Sequence, residues 1–146
     1  MNDPQRAYAE TFDVLCGPAV VPQKYFHGGG PGLRLGDRIL PPSQTGALSL
    51  LAVARKHAAE IGKPFAHMRD DRVYLGGEIA IAILFAAMYP LPAGGWIYEV
   101  DPEEPIEPDP DYAGEGSYQA PAGMIVRVWG ALPTNVVASV RRDMAR

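Results

Sequence analysis

The sequence has few of the features that mark secreted, membrane or metal-binding proteins. Cys16 is its one cysteine in 146 residues, so no internal disulfide is expected. His27, His57 and His67 stand far apart with no cysteine nearby, which predicts no metal site. No apolar run approaches the roughly 20 residues that span a bilayer, so no membrane partner is expected. Residues 1–9 are polar and lack a secretory signal, and we therefore expect a cytoplasmic protein.

Charge is unevenly distributed along the chain. The formal net charge is −4, from 13 Lys and Arg against 17 Asp and Glu. Residues 101–121 contain seven of the acids and neither Lys nor Arg, which leaves 13 bases against 10 acids elsewhere. That excess is too small for a nucleic-acid-binding surface, which usually has a dense basic stripe. Nucleic acid is therefore not the expected partner, whereas the mild excess suits a small anionic ligand.

Length and hydrophobic patterning predict one α+β domain over residues 1–146, with a β-sheet core flanked by helices. Apolar residues make up 47% of the chain and charged residues 21%, as in a globular protein. Strands are predicted over 20–27, 72–75, 95–100 and 124–132, with a short one after a turn at 36–37. Helices are predicted over 1–17, 47–61, 78–88 and about 134–145. The helix over 78–88 is apolar almost all round and is expected to be buried, and Thr134 is the predicted N-cap of the last helix.

A glycine cluster after the first predicted strand includes the first candidate site residues. His27 stands at the end of this strand, directly before Gly28, Gly29 and Gly30, which are predicted to break it. Glycine at positions 28 and 29 would leave bare backbone N–H and C=O groups against which a ligand can lie. The alternative is a tight surface turn with an incidental histidine. The spacing is neither that of a dinucleotide fingerprint nor that of a phosphate loop.

Two further positions are weak candidates when each is taken alone. Tyr74 lies in a predicted strand just before Gly76 and Gly77, and tyrosine in a strand is most often a core residue. Asp109 is one of the seven acids in the segment 101–121, and the prolines beside it stiffen its backbone. Because this loop is predicted to be exposed, replacement of Asp109 is expected to have little effect on stability.

Seven short segments occur in an order that is typical of one enzyme family. They cover 25–28, 33–41, 72–75, 95–102, 106–111, 117–118 and 125–128. In this order they resemble the rifamycin ADP-ribosyltransferases and their short bacterial relatives, which belong to the wider toxin-like ADP-ribosyltransferase fold. The resemblance extends over about residues 24–130.

The resemblance implies a function and a role for each candidate. The chain would bind NAD as its substrate and transfer ADP-ribose to an unknown acceptor, and with water as acceptor it would be an NAD glycohydrolase. His27 would donate a hydrogen bond to a ribose hydroxyl, backbone groups at Gly28 would bind the nicotinamide carboxamide, and Gly29 would also contact NAD. Tyr74 would stack on the nicotinamide ring. Asp109 would complete the catalytic triad by stabilising positive charge as the glycosidic bond lengthens.

Three departures from the family pattern leave a second function open. Gly76 stands where the family usually has Ser or Thr, and residues 119–121 replace basic residues. The segment between residues 41 and 74 is longer than in the rifamycin enzymes, where it helps to form the drug site, so rifamycin is not the expected acceptor. The alternative to an enzyme is an NAD-binding or interaction protein that keeps the fold without turnover.

The predicted C-terminal helix ends in a basic segment that includes Arg141, Arg142 and Arg146. Cations in the last turn favour the helix dipole, so an ordinary packing role is expected. Alternatively, this helix covers an edge of the sheet or forms the contact of a homodimer.

Overall fold

The computed structural model describes residues 22–46, 59–60, 62, 69–110, 114 and 116–145. Cys16, the helix predicted over 1–17 and most of the helix predicted over 47–61 lie outside the described residues. Residues 59–60, the part of the second helix that is described, are helical. Within the described part of the chain, no helix is both long enough and apolar enough to cross a membrane.

A seven-stranded antiparallel sheet forms the centre of the structure. Its strands are β1 (Tyr25–Gly29), β2 (Arg38–Ile39), β3 (Val73–Gly76), β4 (Trp96–Pro102), β5 (Glu107–Pro108), β6 (Ser117–Ala120) and β7 (Gly123–Ala131). Their order across the sheet is β2-β7-β4-β1-β3-β6-β5. The described residues also form three helices, α1 (Pro42–Thr45), α2 (Ile79–Met88) and α3 (Thr134–Met144). These elements confirm the predicted α+β class.

The sheet is weakest between β1 and β3. β1 pairs with β4 along five residues, whereas its register with β3 consists of the single pair Phe26 and Gly76. β3 in turn pairs with β6 along four residues. The sheet therefore has a larger half, β2-β7-β4-β1, and a smaller half, β3-β6-β5, which meet at one point that we call the junction.

Helix α2 packs against both halves at the junction, because a glycine on each side lets it approach closely. A Cβ atom on Gly28 of β1 would lie 2.1 Å from the carbonyl oxygen of Ala82 in α2. A Cβ atom on Gly76 of β3 would lie 2.6 Å from Cβ of Ile81. Both distances are far shorter than van der Waals contact, so any larger residue at either position would displace the helix.

Helix α2 is less buried than its composition predicts. Ala82 and Ala86 are buried against the sheet and Ala87 is also buried, but Leu84 is 44% exposed. The residues that reach the sheet are small because the helix lies so close to the two glycines. An apolar stripe would have indicated which side faces the core, and this helix has none.

The larger hydrophobic core lies on the other face of the sheet. It consists of Ile39, Val73, Leu75, Tyr98, Val100, Ala120 and Ile125. Tyr98 and Val100 share this face, as the alternation in β4 predicts. Their neighbour Ile97 points the opposite way and belongs to a smaller cluster with Phe26 under α2. Both faces of the sheet centre are therefore covered.

The predicted bounds of β1 and the predicted cap of α3 are wrong. Residues 22–24, which the predicted first strand includes, lie outside β1. β1 does not break after His27 but continues to Gly29, which pairs with Trp96 of β4. Thr134 is not an N-cap, because it is the first residue of α3 and the cap position is taken by Pro133 without a side-chain hydrogen bond. The short elements α1, β5 and β6 have no counterpart among the predicted elements.

Arg141 of α3 caps the C-terminal end of α2. Its guanidinium donates hydrogen bonds to the carbonyl oxygens of Ala87 at 2.8 Å, Tyr89 at 2.9 Å and Leu91 at 2.6 Å. Carbonyls at the end of a helix have no partner within it, and a cation there also favours the helix dipole. Arg141 therefore has the ordinary packing role that the sequence predicts, since it ties α3 to the helix at the junction.

Replacing Arg141 with Met is expected to lower the free energy of unfolding by about 2–3 kcal/mol, because hydrogen bonds from a charged group typically contribute about 1.5–3 kcal/mol. Arg142→Met is the matched control, since Arg142 is exposed on the same helix. Its effect should stay within about 0.5 kcal/mol. Urea unfolding of both variants measures the difference, and equal effects would contradict the assigned role.

Candidate functional site

His27 connects the two halves of the sheet at the junction. It is a partly buried residue of β1, and its Nδ1 lies 2.9 Å from the carbonyl oxygen of Tyr74 in β3. Because a carbonyl only accepts hydrogen bonds, Nδ1 is the protonated nitrogen and donates this one. The structure thus places His27 next to Tyr74, just where the backbone pairing between their strands has ended.

The environment of His27 favours its neutral form. Burial lowers the pKa of its imidazole below the ordinary value of 6.5, and the hydrogen bond to Tyr74 partly opposes this shift. In the neutral ring, Nδ1 carries the proton and Nε2 is an acceptor. Nε2 can therefore accept a hydrogen bond from a hydroxyl, which differs from the donor role that the resemblance implies.

The glycines after His27 make room for parts of the protein itself. A Cβ atom on Gly29 would lie 2.3 Å from Nε2 of His27, so glycine at this position leaves space for the imidazole ring. The corresponding space at Gly28 is occupied by Ala82 and Ala86 of α2. We expected a ligand to lie against the open backbone of these two glycines. On the side where a side chain would stand, the protein itself fills that space, so the expectation is wrong there.

Tyr98 is a site residue for which the sequence indicated no role. Its ring is fully buried and stacks on His27, with ring centroids 6.4 Å apart and an angle of 26° between the planes. Its hydroxyl donates a hydrogen bond to the carbonyl oxygen of Gly30 at 2.6 Å and accepts one from the N–H of Leu33 at 3.2 Å. Tyr98 thus fixes both the imidazole ring and the glycine turn that follows it.

Tyr74 is oriented by the loop that precedes its strand. Its hydroxyl accepts a hydrogen bond from the backbone N–H of Arg69 at 2.6 Å. The guanidinium of Arg69 in turn binds the carboxylate of Asp71 and lowers the pKa of that group. The position of the Tyr74 ring is therefore set both by its strand and by this loop.

Asp109 is buried, which contradicts the expectation of an exposed loop residue. It has no exposed surface, and its Oδ2 accepts a hydrogen bond from Oγ of Ser117 at 2.9 Å. Its backbone N–H donates to the carbonyl oxygen of Ser117, also at 2.9 Å. Pairing between β5 and β6 brings this segment onto the sheet edge, and both strands are too short for a hydrophobic pattern to predict them.

The sheet register relates Asp109 to the other two candidates. Asp109 lies beside Ser117 of β6, Ser117 pairs with Gly76 of β3, and Gly76 pairs with Phe26, the neighbour of His27. Adjacent strands are about 4.8 Å apart, so the Cα atoms of Asp109 and Phe26 are separated by roughly 14 Å. The structure therefore brings the His27 imidazole to the backbone carbonyl of Tyr74, not to its ring, and places Asp109 across the smaller half of the sheet.

An open cavity lies beside Asp109. Its volume is about 540 Å³, and it is lined by Glu78, Pro108, Gly114, Gly116, Ser117 and Tyr118. This volume is in the range of small-molecule sites. Neither His27 nor Tyr74 contributes to the lining, so the cavity adjoins the Asp109 end of the site rather than the junction.

A second polar pair sits next to Tyr74 and was not singled out from the sequence. Gln119 of β6 is opposite Tyr74 on one side and opposite Glu107 of β5 on the other. Its Nε2 donates a hydrogen bond to Oε2 of Glu107 at 3.1 Å. A prediction of β6 as a strand would have placed Gln119 beside Glu107. With four residues between turns, β6 is too short for its hydrophobic alternation to be recognised.

Comparison with known proteins identifies no relative of this chain, since no family model and no curated protein matches it. Among the described residues, no group of three His, Cys, Asp or Glu side chains could bind a metal ion.

The burial of neutral His27 predicts a loss of stability in acid. Its folded pKa is lowered, so the unfolded chain binds more protons below about pH 6.5, and the free energy of unfolding falls as the pH is lowered through that range. His27→Gln removes this titration while keeping an N–H that can bind the Tyr74 carbonyl. Between about pH 7.5 and 5.5, urea unfolding should show a smaller decline for the variant than for the wild type. Parallel declines would rule out a neutral, buried His27.

Ser117→Ala is expected to lower the free energy of unfolding by about 1.5–3 kcal/mol, because it removes the hydrogen bond that Ser117 donates to a buried carboxylate oxygen of Asp109. Ser43→Ala is the control, since Ser43 is exposed on α1. Thermal and urea unfolding of the two variants measure the difference. If Ser117→Ala is as stable as the control, the buried contact with Asp109 is wrong.

Proposed function

We propose that the protein binds NAD, cleaves the bond between nicotinamide and ribose, and transfers ADP-ribose to an acceptor. The observation that carries this proposal is the hydrogen bond from His27 to the Tyr74 carbonyl across the junction. It joins the imidazole of His27 to the backbone of Tyr74, two of the three residues to which the family resemblance gives a role. Their strands are far apart in sequence, so this proximity is a property of the fold. With water as acceptor, the same chemistry is that of an NAD glycohydrolase.

The proposed contacts with the nicotinamide end of NAD come from groups of both strands at the junction. The Tyr74 ring can stack on nicotinamide, and offset stacking contributes about 0.5–1.5 kcal/mol beyond burial. Neutral His27 can accept a hydrogen bond from a ribose hydroxyl through Nε2. Backbone groups of Gly28 would bind the carboxamide, because its side-chain direction is already filled by helix α2.

Asp109 is the proposed catalytic carboxylate. As the bond from C1′ of the ribose to nicotinamide breaks, its electron pair leaves with nicotinamide and positive charge develops on the ribose. A carboxylate held by Ser117 in a buried, weakly polar environment stabilises that charge more in the transition state than in the ground state. The ligand would extend from the junction across the smaller half of the sheet, towards the cavity beside Asp109.

A non-enzymatic NAD-binding or interaction protein is the second candidate. Gly76 favours it, because the family's hydroxyl is absent there and Ile81 leaves no room for a side chain. The complete burial of Asp109 favours it as well. This protein would bind NAD without releasing nicotinamide. Both candidates include a cytoplasmic location, where a lone cysteine stays reduced.

Release of nicotinamide from NAD by the purified protein tests the proposal. Asp109→Asn keeps the shape of the side chain but removes its charge, and it should slow release by about 100-fold or more. Asp101→Asn is the control, since Asp101 is an exposed acid of the same acidic segment, and its rate should stay within about twofold. Thermal unfolding confirms that each variant is folded. Saturable NAD binding without release would favour the second candidate, and full activity of folded Asp109→Asn would contradict the catalytic role.

A further inference from the structure

The buried amide of Gln119 has an acceptor without a donor. Gln119 is 5% exposed, and its Nε2 donates to Glu107. Its Oε1 is buried and accepts no hydrogen bond from the part of the chain that the structure describes. An unsatisfied buried polar atom costs roughly 1–3 kcal/mol, and folded proteins retain few of them. Such an atom beside a candidate site points to a partner that is supplied by a ligand.

Glu107 fixes which way this amide faces. If the amide were turned by 180°, Oε1 would lie against the carboxylate of Glu107, and two acceptors would repel each other. With Nε2 bound to Glu107, Oε1 faces away from that carboxylate. The hydrogen bond to Glu107 therefore fixes the direction of Oε1 of Gln119.

The acceptor lies within reach of a ligand at Tyr74. Tyr74, Gln119 and Glu107 occupy directly opposite positions on β3, β6 and β5, so their side chains form a row on one face of the sheet. Side chains of directly opposite residues are neighbours, with Cβ atoms about 5 Å apart. A molecule stacked on Tyr74 therefore has Gln119 as its neighbour, with Glu107 one strand further on.

The row has negative charge that no described cation neutralises directly. Among the described residues, no Lys or Arg forms an ion pair with Glu107. Arg69 is close enough for Glu107 to raise its pKa, but its guanidinium is bound to Asp71. The row thus presents an amide oxygen and a carboxylate, both of which accept hydrogen bonds.

This inference rests on the proposed function. We propose that Gln119 selects the ADP-ribose acceptor by accepting, through Oε1, a hydrogen bond from an amine, amide or guanidinium group, whose remaining N–H groups face Glu107. A nitrogen group with two or more N–H donors satisfies both acceptors at once, whereas a hydroxyl has a single proton to donate. The acceptor class is therefore a nitrogen nucleophile.

The transfer balances for such an acceptor. The lone pair of the neutral nitrogen forms a bond to C1′ of the ribose while the bond from C1′ to nicotinamide breaks. The electron pair of that bond neutralises the nicotinamide ring as it leaves. The new C–N product then loses one proton from nitrogen to water.

Nicotinamide release in the presence of butylguanidine and of butan-1-ol, which share a butyl chain, tests the selection. Butylguanidine should accelerate release saturably in the wild type, whereas butan-1-ol should not. Gln119→Met keeps the size of the side chain without its amide, and it should raise the KM for butylguanidine at least about tenfold with a smaller change in kcat. Gln44→Met makes the same exchange at an exposed position and should leave the KM unchanged.

Two further measurements separate the possible failures. Calorimetry of butylguanidine with the wild type and both variants, without NAD, reports on the nitrogen site independently of turnover. If NAD is cleaved but Gln119→Met has the wild-type KM, or butan-1-ol is the better acceptor, the selection is overturned and the proposed function stands. If no acceptor supports cleavage, the proposed function fails. Binding of butylguanidine that Gln119→Met weakens would then support the nitrogen site, and absence of binding would overturn it.

If Gln119→Met does not fold, Glu107→Gln provides a second test, because it removes the neighbouring charge and with it the group that fixes the direction of the Gln119 amide. It should also weaken butylguanidine binding by about tenfold or more. Unchanged binding in folded Glu107→Gln would overturn the inference.

Discussion

The contact of helix α2 with a glycine on each half of the sheet is the constraint on which the rest of the structure depends. Gly28 and Gly76 let the helix backbone approach β1 and β3 to a distance at which a side chain would not fit. The two strands share a single register pair, so the helix supplies contact that the sheet itself lacks there. Arg141 ties α3 to the end of the same helix. The junction is therefore stabilised from one face by packing rather than by strand pairing.

The candidate site lies at this junction because the strands separate there. Where backbone pairing ends, the carbonyl of Tyr74 becomes available and His27 binds it. Tyr98 supports the imidazole from the larger half, while Ser117 and Gln119 order the carboxylates of Asp109 and Glu107 in the smaller half. The proposed NAD site thus uses groups from both halves, and a change that moved α2 would alter all of them.

Residue patterning predicted the long elements and missed the contacts that define the site. Alternation in β4 accounts for Tyr98 and Val100 sharing one face, because each strand face has a period of two residues. The burial of Asp109 was not predictable, because it depends on β5 and β6, which are two and four residues long. The family pattern makes Gly76 the loss of a hydroxyl-bearing side chain. In the structure glycine is required there because Ile81 occupies the space that a side chain would need. Such features arise from distant segments that meet only in the folded chain.

The most direct test of an NAD site at the junction is an NMR titration of protein with ¹³C-labelled histidine and tyrosine rings. Binding at the junction predicts that the ring signals of His27 and Tyr74 shift together and saturate with one dissociation constant, because nicotinamide stacked on Tyr74 changes the magnetic environment of both rings. Shifts confined to other rings, or no shift at saturating NAD, would contradict the central claim that the junction binds the nicotinamide end of NAD.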